Sequence, residues 1–556
     1  MIRKTLFLAI VLSYLTNSYG QTPEWNWIAK AGETGDDEAL STTSDMNGNI
    51  IVAGYFNGTI IFGIDTLSSS GASDFFIAKY DPAGNVLWAK KGGGSLNDQI
   101  TSITTDPWEN IIVTGAFQSS TLTIDTLTLT NSGSWDTFVA KFDSQGNLQW
   151  TKQIIGTDHD NANCVIADST SIVIGGRFKQ NIIIDTDTLT NISSGTYAFD
   201  VFLVKYDTSG NLAWSRSAGG SNEDVINSLS FDNNGNILAT GYYTNSPITF
   251  DTITLTNSGS NDIFLAKYNS SGNVIWAKKA AGTFNDYSYA LAVDQNNNSI
   301  ISGYFGSSKI YFDSDSLVNI GSATFDIFLA KYDSNGNIIW VKRAGNTSMD
   351  VGYALSTDLN NNILIAGNYN NLPLFFGADT IENSGLWDVF LAKYDEFGNE
   401  LWAKGAGGND YDETHPNCLH ISQNGSIILA GGFVSDTIVF DSISLVNANA
   451  GIPFSTSRDM FLAVLSPDTF TTGLNLNENI TDLIVLFPNP TSGIFNLKSS
   501  NPIMNLKVFN STGQLVTSKD IDGQDCLTFS LESSGIYFVQ ITTNKQIITK
   551  KIIVKK

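Results

Sequence analysis

Fourteen aspartates recur at two fixed places in a repeated stretch of this 556-residue chain, and they are the residues whose type and spacing most suggest chemistry. One set is Asp37, Asp98, Asp160, Asp224, Asp286, Asp350 and Asp412; the other is Asp74, Asp136, Asp200, Asp262, Asp326, Asp388 and Asp459. Carboxylates gathered on one rim would supply the roughly six to eight oxygens that calcium takes, with Asp98, Asp160, Asp224 and Asp286 as candidate ligands. A pair of them could instead work as acid and base on a polysaccharide, although nothing singles out one pair. The plainer reading is that an Asp at one place in every unit closes a loop by accepting backbone N–H bonds.

A second constellation lies just before the later aspartate, where the repeat varies while its surroundings stay fixed: Ser73, Trp135, Phe199, Asn261, Phe325, Trp387 and Arg458. Aromatics amid acids and amides stack on sugar rings while polar neighbours bond hydroxyls. Trp135, Phe199, Phe325 and Trp387 are therefore the candidate ligand-binding residues, and shielding of loop stems is the alternative. Evidence for catalysis is thin. The three histidines, His159, His415 and His420, form no metal-spaced pair, and G-x-S-x-G and P-loop motifs are absent. No catalytic residue and no cofactor is assigned, calcium being the one candidate. The expected role is a non-catalytic binding or adhesion module, with a glycan-active enzyme and a structural surface component as alternatives.

The elements that hold these residues follow from a tryptophan repeat. Trp27, Trp88, Trp150, Trp214, Trp276, Trp340 and Trp402 recur at steps of 61, 62, 64, 62, 64 and 62 residues, a period that indicates a solenoid or propeller. Within residues 98–152, four alternating apolar runs are joined by two tight hairpins and one long connection, the blade pattern of a β-propeller. The third-to-fourth hairpin reads D-x-x-G-N or N-x-x-G-N six times, from 81–85 to 395–399. The first residue bonds the turn, and Gly supplies its positive φ. The seventh is missing where the last third strand (459–465) ends the repeat, while the chain begins with a lone Trp strand at 25–30. That strand completes the last blade and closes the ring, removing exposed sheet edges. Ser102, Cys164, Ser228, Ala290 and Ala354 are small residues on first strands, as a crowded axis requires. The predicted fold is all-β: a seven-bladed propeller closed by an N-terminal strand, plus a small C-terminal β-sandwich.

A net charge of −24 disfavours nucleic acid as a partner. Residues 1–20 read as a signal peptide, with Arg3 and Lys4 ahead of an apolar core and a small-residue site ending at Gly20. No later stretch is apolar enough for a membrane span. The three cysteines, Cys164, Cys418 and Cys526, are too few and too scattered for disulfides to hold the fold.

In DNNGNILATGYY (232–243), DIFLAKY (262–268) and AGG (218–220) the units resemble the seven-bladed propeller repeats of secreted bacterial proteins, over about residues 25–465. Residues 484–556 reverse the charge balance, with eight lysines against four acids. Their Pro488-Asn489-Pro490-Thr491-Ser492-Gly493, Gly513, Ser534-Gly535-Ile536-Tyr537 and terminal lysines closely resemble the C-terminal sorting domain of type IX secretion cargo. That resemblance implies export through the type IX machinery and removal of the tail, then release or attachment to surface lipopolysaccharide; an extracellular glycan or surface protein is the partner that the binding-module reading suggests. The expected domains are the signal peptide (1–20), propeller (21–466), linker (467–483) and sorting domain (484–556). Once per unit, Asp-Ser/Thr-aliphatic resembles the O-glycosylation acceptor of bacteria using this route, at Thr66, Thr126, Thr188, Thr252, Ser316, Thr380 and Ser442. A repeated strand end is the alternative.

Overall fold

The computed structural model describes residues 23–467 and 484–554, apart from 34, 193–194, 196–197, 322–323, 378, 453–454, 488–493, 511–513, 532 and 544–546. The proposed signal peptide, nearly all of the proposed linker, and Pro488, Asn489, Pro490, Gly493 and Gly513 lie outside the described residues. Two compact units divide the chain at residues 469/470.

The first unit is a seven-bladed propeller. Its first blade is Asp37–Ser44, Ile50–Phe56, Asp74–Tyr80 and Val86–Gly93, paired antiparallel in chain order, and five more blades repeat that order. The seventh takes Ile427–Phe433 and Asp459–Leu465 from the end of the repeat and its fourth strand, Trp25–Ala31, from the beginning. The register from Trp27↔Val464 to Ala31↔Met460 closes the ring as the sequence predicts. Second and third strands are buried on both faces: Ile111–Phe117 and Asp136–Phe142 have no exposed residue. Their near-continuous apolar runs suit strands sandwiched between blades.

The long second-to-third connection is more ordered than a loop. Thr121–Ile124 and Leu127–Thr130 form a hairpin whose first strand pairs with the outer strand of the preceding blade, Thr123↔Gly93 and Ile124↔Gly92. The same docking recurs at Ile154↔Ile184, Ala280↔Phe312 and Ala406↔Phe440. Alternation drives it, because Ile60, Leu122, Ile182, Ile248, Ile310, Leu374 and Ile438 on the inward face are all fully buried. Each blade therefore reaches back along the outer wall and clasps its neighbour.

Two further contacts join successive blades at the hairpin face. The turn glycine of one blade lies on the indole of the previous one: a Cβ on Gly84 would stand 2.9 Å from Trp27, and one on Gly272 2.9 Å from Trp214. Glycine is doubly required, since both turns need positive φ, 88° and 79°. The indole N–H then donates to a carbonyl in the same turn, Trp27 to Pro82 at 3.0 Å and Trp214 to Ser270 at 3.1 Å. Beneath, a third-strand lysine pairs with the aspartate of its own blade's first hairpin: Lys79–Asp45 at 2.8 Å, Lys141–Asp106 at 2.9 Å, Lys267–Asp232 at 2.8 Å, Lys331–Asp294 at 2.9 Å and Lys393–Asp358 at 2.9 Å. Lys79, Lys141, Lys267 and Lys331 also reach a turn carbonyl of the next blade. In blade three, the irregular hairpin at Asp168 turns its carboxylate on Thr170 and Ser171 instead.

Among its described residues the second unit holds five strands, with the long strand Ile494–Asn510 pairing on one side with Leu515–Ser530 and on the other with Ile484–Phe487 and Gly535–Thr543. Its own core includes Phe495, Leu497, Val508, Val539, Ile541 and Ile552. Tyr537 belongs to that core and donates to the Ser533 carbonyl at 3.0 Å, while Gly535 begins its strand.

Removing Trp25–Ala31 should leave blade seven open and convert one cooperative thermal transition into broad, multi-step melting, measurable by calorimetry. Trp276→Ala, which empties a half-buried seam, should cost about 2–3 kcal/mol of stability, read from denaturant unfolding.

Candidate functional site at the propeller axis

First strands line the axis, and each of the first six carries a β-bulge at one matched place. A bulge inserts one unpaired residue and re-aims its side chain. The bulged residues are Leu40, Thr101, Asn163, Asn227, Tyr289 and Tyr353, all different in shape or chemistry except the two Asn and the two Tyr. Polar groups freed by the bulges are answered across the seams: Thr101 Oγ1 donates to the Ala162 carbonyl at 2.6 Å, Asn163 Nδ2 to Ile226 at 2.8 Å, and Asn227 Nδ2 to Ser288 at 2.8 Å.

Blade seven breaks the pattern. Pro416 cannot donate to a ladder, and the first strand splits into Asp412–Glu413 and Leu419–Ile421 around Thr414–Cys418. The intervening turn crosses the axis. Asn417 Nδ2 donates to the Asn163 carbonyl on blade three at 3.2 Å, and the Asn417 carbonyl accepts the Thr42 N–H of blade one at 3.0 Å. Above it lies a pit of about 180 Å³ edged by Leu40, Thr101, Asn163, Asn227, Tyr289 and His415. Below it is a separate cavity of about 160 Å³ lined by Ser102, Cys164, Ser228, Ala290 and Ala354, the small residues expected at the axis. His420 also lines this lower cavity, bonded to Ser44 Oγ at 3.0 Å, and burial pushes its pKa down to about 4.

The pit's surroundings are lopsided. Over blades four to six, Tyr242, Tyr287, Tyr289, Tyr304, Tyr353 and Phe325 form one connected aromatic arc, with Tyr289–Tyr353 at 5.0 Å, Tyr287–Tyr304 at 4.9 Å and Tyr304–Phe325 at 4.5 Å between centroids. Burial, with neighbouring tyrosines and Glu223, keeps their phenols protonated far above neutral pH. At the blade-seven to blade-one seam, Glu38 accepts from His415 at 2.7 Å and Tyr55 at 2.8 Å, and Arg458 bridges Glu38 and Glu413. Burial opposes the Glu38 charge, but the His415 contact and Arg458 outweigh it and hold its pKa near 2. The His415 pKa is raised, because the Glu38 charge and hydrogen bond overcome burial. The broken first strand of blade seven carries His415 to the axis.

The four candidate aromatics sit farther out. Trp135, Phe325 and Trp387 are half-buried and each forms a parallel bridge to the residue before the next blade's first aspartate: His159, Met349 and Tyr411. Phe199 is 9% exposed, beneath the Arg177 guanidinium at 4.7 Å. Trp135 and Phe199 flank His159 at 6.0 and 5.9 Å, so this group forms a rim cluster across the seam between blades two and three. The bulge residues and the axial turn were missed. A signal for the turn existed, since THPNC replaces an alternating strand in one unit alone.

The fourteen aspartates are not a solvent-facing rim. All are 0–1% exposed, and they sit in pairs across the seams, where the charge of Asp74 acts on Asp98 and that of Asp136 on Asp160. Each closes a loop: the Gly94 N–H donates to Asp98 at 2.6 Å with Ser119 Oγ at 2.7 Å, and the Ser70 N–H to Asp74 at 2.9 Å. The fit is tight enough that a Cβ on Gly93 would stand 2.3 Å from Asp74. Among the described residues, the second carboxylate oxygen of Asp74, Asp326 and Asp459 has no hydrogen-bond partner. Burial first, and like charge across several seams, raises these acids: Asp37, Asp286 and Asp350 to about 7, Asp160 and Asp412 to about 8, with Asp98 and Asp224 raised as well. Among the described residues no group of three or more His, Cys, Asp or Glu is arranged to hold a metal ion, the four candidate ligands included. Of the Asp-Ser/Thr-aliphatic hydroxyls, those of Thr66, Thr126, Thr188, Thr252, Thr380 and Ser442 belong to exposed residues of the outer hairpins, and Ser316 is half-buried.

Residues 485–555 match the family model of the secretion system C-terminal sorting domain. The chain is 25% identical over 508 residues to an uncharacterized WD repeat-containing protein of Acanthamoeba polyphaga mimivirus, covering 74% of this chain and 36% of that protein. It is 26% identical over 202 residues to the regulatory protein FlaEY of Caulobacter vibrioides, covering 34% of this chain and 21% of that one. The chain thus spans little more than a third of the first relative's length and a fifth of the second's. Similar solved structures include PorZ, a surface component of the type IX secretion system of Porphyromonas gingivalis, at 11% identity and TM-score 0.19 over 93% of this chain and 81% of that one. The phage phi92 endosialidase is similar at 9% identity and TM-score 0.35, over 95% and 79%. Among the described residues no helix is long and apolar enough to cross a membrane.

Acids whose folded pKa is raised add stability that is fully present below about pH 4 and is lost as pH rises through 7 to 8. Glu38 acts oppositely, losing its contribution below its unfolded pKa, and His420 loses its own as pH falls from its unfolded value toward 4. The seam acids outnumber these, so the melting temperature should fall between pH 5.5 and 8.5, the unfolding free energy dropping by up to about 1.4 kcal/mol per pH unit for each titrating acid. The double change Asp160→Asn/Asp412→Asn, which supplies a permanent N–H donor to each seam, should flatten that fall in thermal melts.

Proposed function

We propose that this protein, a type IX secretion cargo whose sorting domain takes it to the cell surface, is a non-catalytic binding module that holds an extracellular glycan at the mouth of its propeller axis. One observation carries the reading. Around the axis the architecture repeats blade by blade, yet the bulged side chains aimed into the mouth change from Leu40 through Thr101 and Asn163 to Tyr289. Packing requires the repeated positions to stay alike; the varied ones answer to a ligand. Aromatic faces beside amides and hydroxyls suit a sugar, whose C–H face stacks while its hydroxyls find polar partners.

The same geometry argues for binding rather than turnover. The fourteen seam carboxylates are buried in loop closures, and Glu38 and His415 are tied to each other. The half-buried rim aromatics Trp135, Phe325 and Trp387 give longer chains a second place to lie, while Phe199 lies beneath Arg177.

On a glycan array, the purified secreted protein should be retained by a subset of glycans, and Tyr289→Ala should lower retention about tenfold at a temperature where a thermal melt shows the variant still folded. Trp135→Ala/Trp387→Ala should weaken only longer chains. No sugar should be released from a polysaccharide panel. Loss of retention in neither variant, or release of product, would overturn the proposal.

A further inference from the structure

We infer that the axial pit takes the end of a glycan chain, a single pyranose ring bearing no acidic group, and not an internal stretch. The inference rests on the glycan-binding reading above and specifies its ligand.

The pit is small and has a floor. Its volume of about 180 Å³ is below the roughly 300–1,000 Å³ of sites that enclose drug-sized ligands. Pro416 and Asn417 lie across its base, and Asn417 is fastened to blade three through the Asn163 carbonyl at 3.2 Å and to blade one through the Thr42 N–H at 3.0 Å. Asn417 also borders the lower cavity, so the axis is two chambers and not a bore. A chain threading the axis would have to displace that turn. A chain crossing the mouth would meet the first strands of all seven blades converging on it and could place only one ring below their rim.

The walls set which ring. Tyr289 presents an aromatic side held in place by Tyr353 at 5.0 Å, Tyr304 at 5.8 Å and Tyr287 at 6.1 Å. Thr101, Asn163 and Asn227 supply hydroxyl and amide chemistry from blades two to four. An acidic sugar is poorly served. The nearby cations are already engaged: His415 on Glu38, Arg458 on Glu38 and Glu413, and Arg177 on Glu223. With those carboxylates close by, an added anion would meet repulsion without a free counter-charge. A neutral ring meets none.

The test is competition on the array with the whole secreted protein, using methyl pyranosides of glucose, galactose, mannose, N-acetylglucosamine and glucuronic acid as soluble probes. At least one uncharged methyl pyranoside should abolish retention, at a concentration raised about tenfold by Tyr289→Ala, while methyl glucuronide should not compete. Leu40→Trp, which fills the pit without removing a hydrogen bond, should remove retention with the melting temperature unchanged. If glycans retain the protein but only oligosaccharides compete, or if Leu40→Trp binds normally, end recognition is wrong and the glycan reading stands. Competition by the glucuronide alone would overturn the uncharged-ring assignment. If no glycan retains the protein, both fail together.

Discussion

The indole of one blade lying beneath the turn glycine of the next is the contact on which the ring depends. A closed ring of blades tolerates no accumulated error, so each blade must meet its neighbour at the same angle and distance. Trp27 under Gly84 and Trp214 under Gly272 set that distance at the hairpin face, where any Cβ would collide with the ring. The indole N–H and the third-strand lysine both end on carbonyls of the same neighbouring turn, Trp276 and Lys267 sharing that of Ser334. Hydrogen bond, charge and van der Waals contact therefore fix one geometry together, and the tryptophan recurs because nothing smaller reaches.

At the opposite face the joint is made with carboxylates. Two aspartates per seam are buried and both serve loops, an arrangement that is costly if both are charged. Raised proton affinity relieves it at most seams, and small residues such as Gly93 leave the carboxylates room. These identical seams free the axis from structural duty. Bulges on six blades aim their side chains at one point, and the scaffold tolerates the differences because side chains of the adjacent blade answer freed backbone carbonyls, as Thr101 does for Ala162, Asn163 for Ile226 and Asn227 for Ser288.

The ring, its blade count and its closure by the N-terminal strand were legible in the sequence because they rest on periodicity and on turn chemistry, both local. So was the small-residue lining of the axis. Less was legible of the outer hairpins: TLTIDTLTLT alternates plainly, but its partner strand belongs to the previous blade, and only the fold reveals it. The aspartates were visible as a pattern and their loop-closing role was read correctly, but sequence gives their face and not their depth. The candidate site was the least legible part. A bulge leaves alternation nearly intact, so Asn163 and Tyr289 read as ordinary strand residues until the register shift shows where they point. The axial turn at Pro416 stood out as an irregularity in one unit, yet its reach to Asn163, 417 − 163 = 254 residues away, is invisible without coordinates.

The pairing of Trp25 with Leu465 also fixes when the molecule can become itself. Joining residues 465 − 25 = 440 positions apart costs only about 1.7 kcal/mol more chain entropy than closing one 62-residue repeat, because that cost grows as the logarithm of length. At equilibrium the difference is minor. In time it is decisive: no ring exists until the last blade is present, and every earlier species exposes two unsatisfied sheet edges. A chain bound for export thus carries in its first strand the piece that its final blade must wait for, and premature contact between open edges of separate molecules is the hazard that this delay creates.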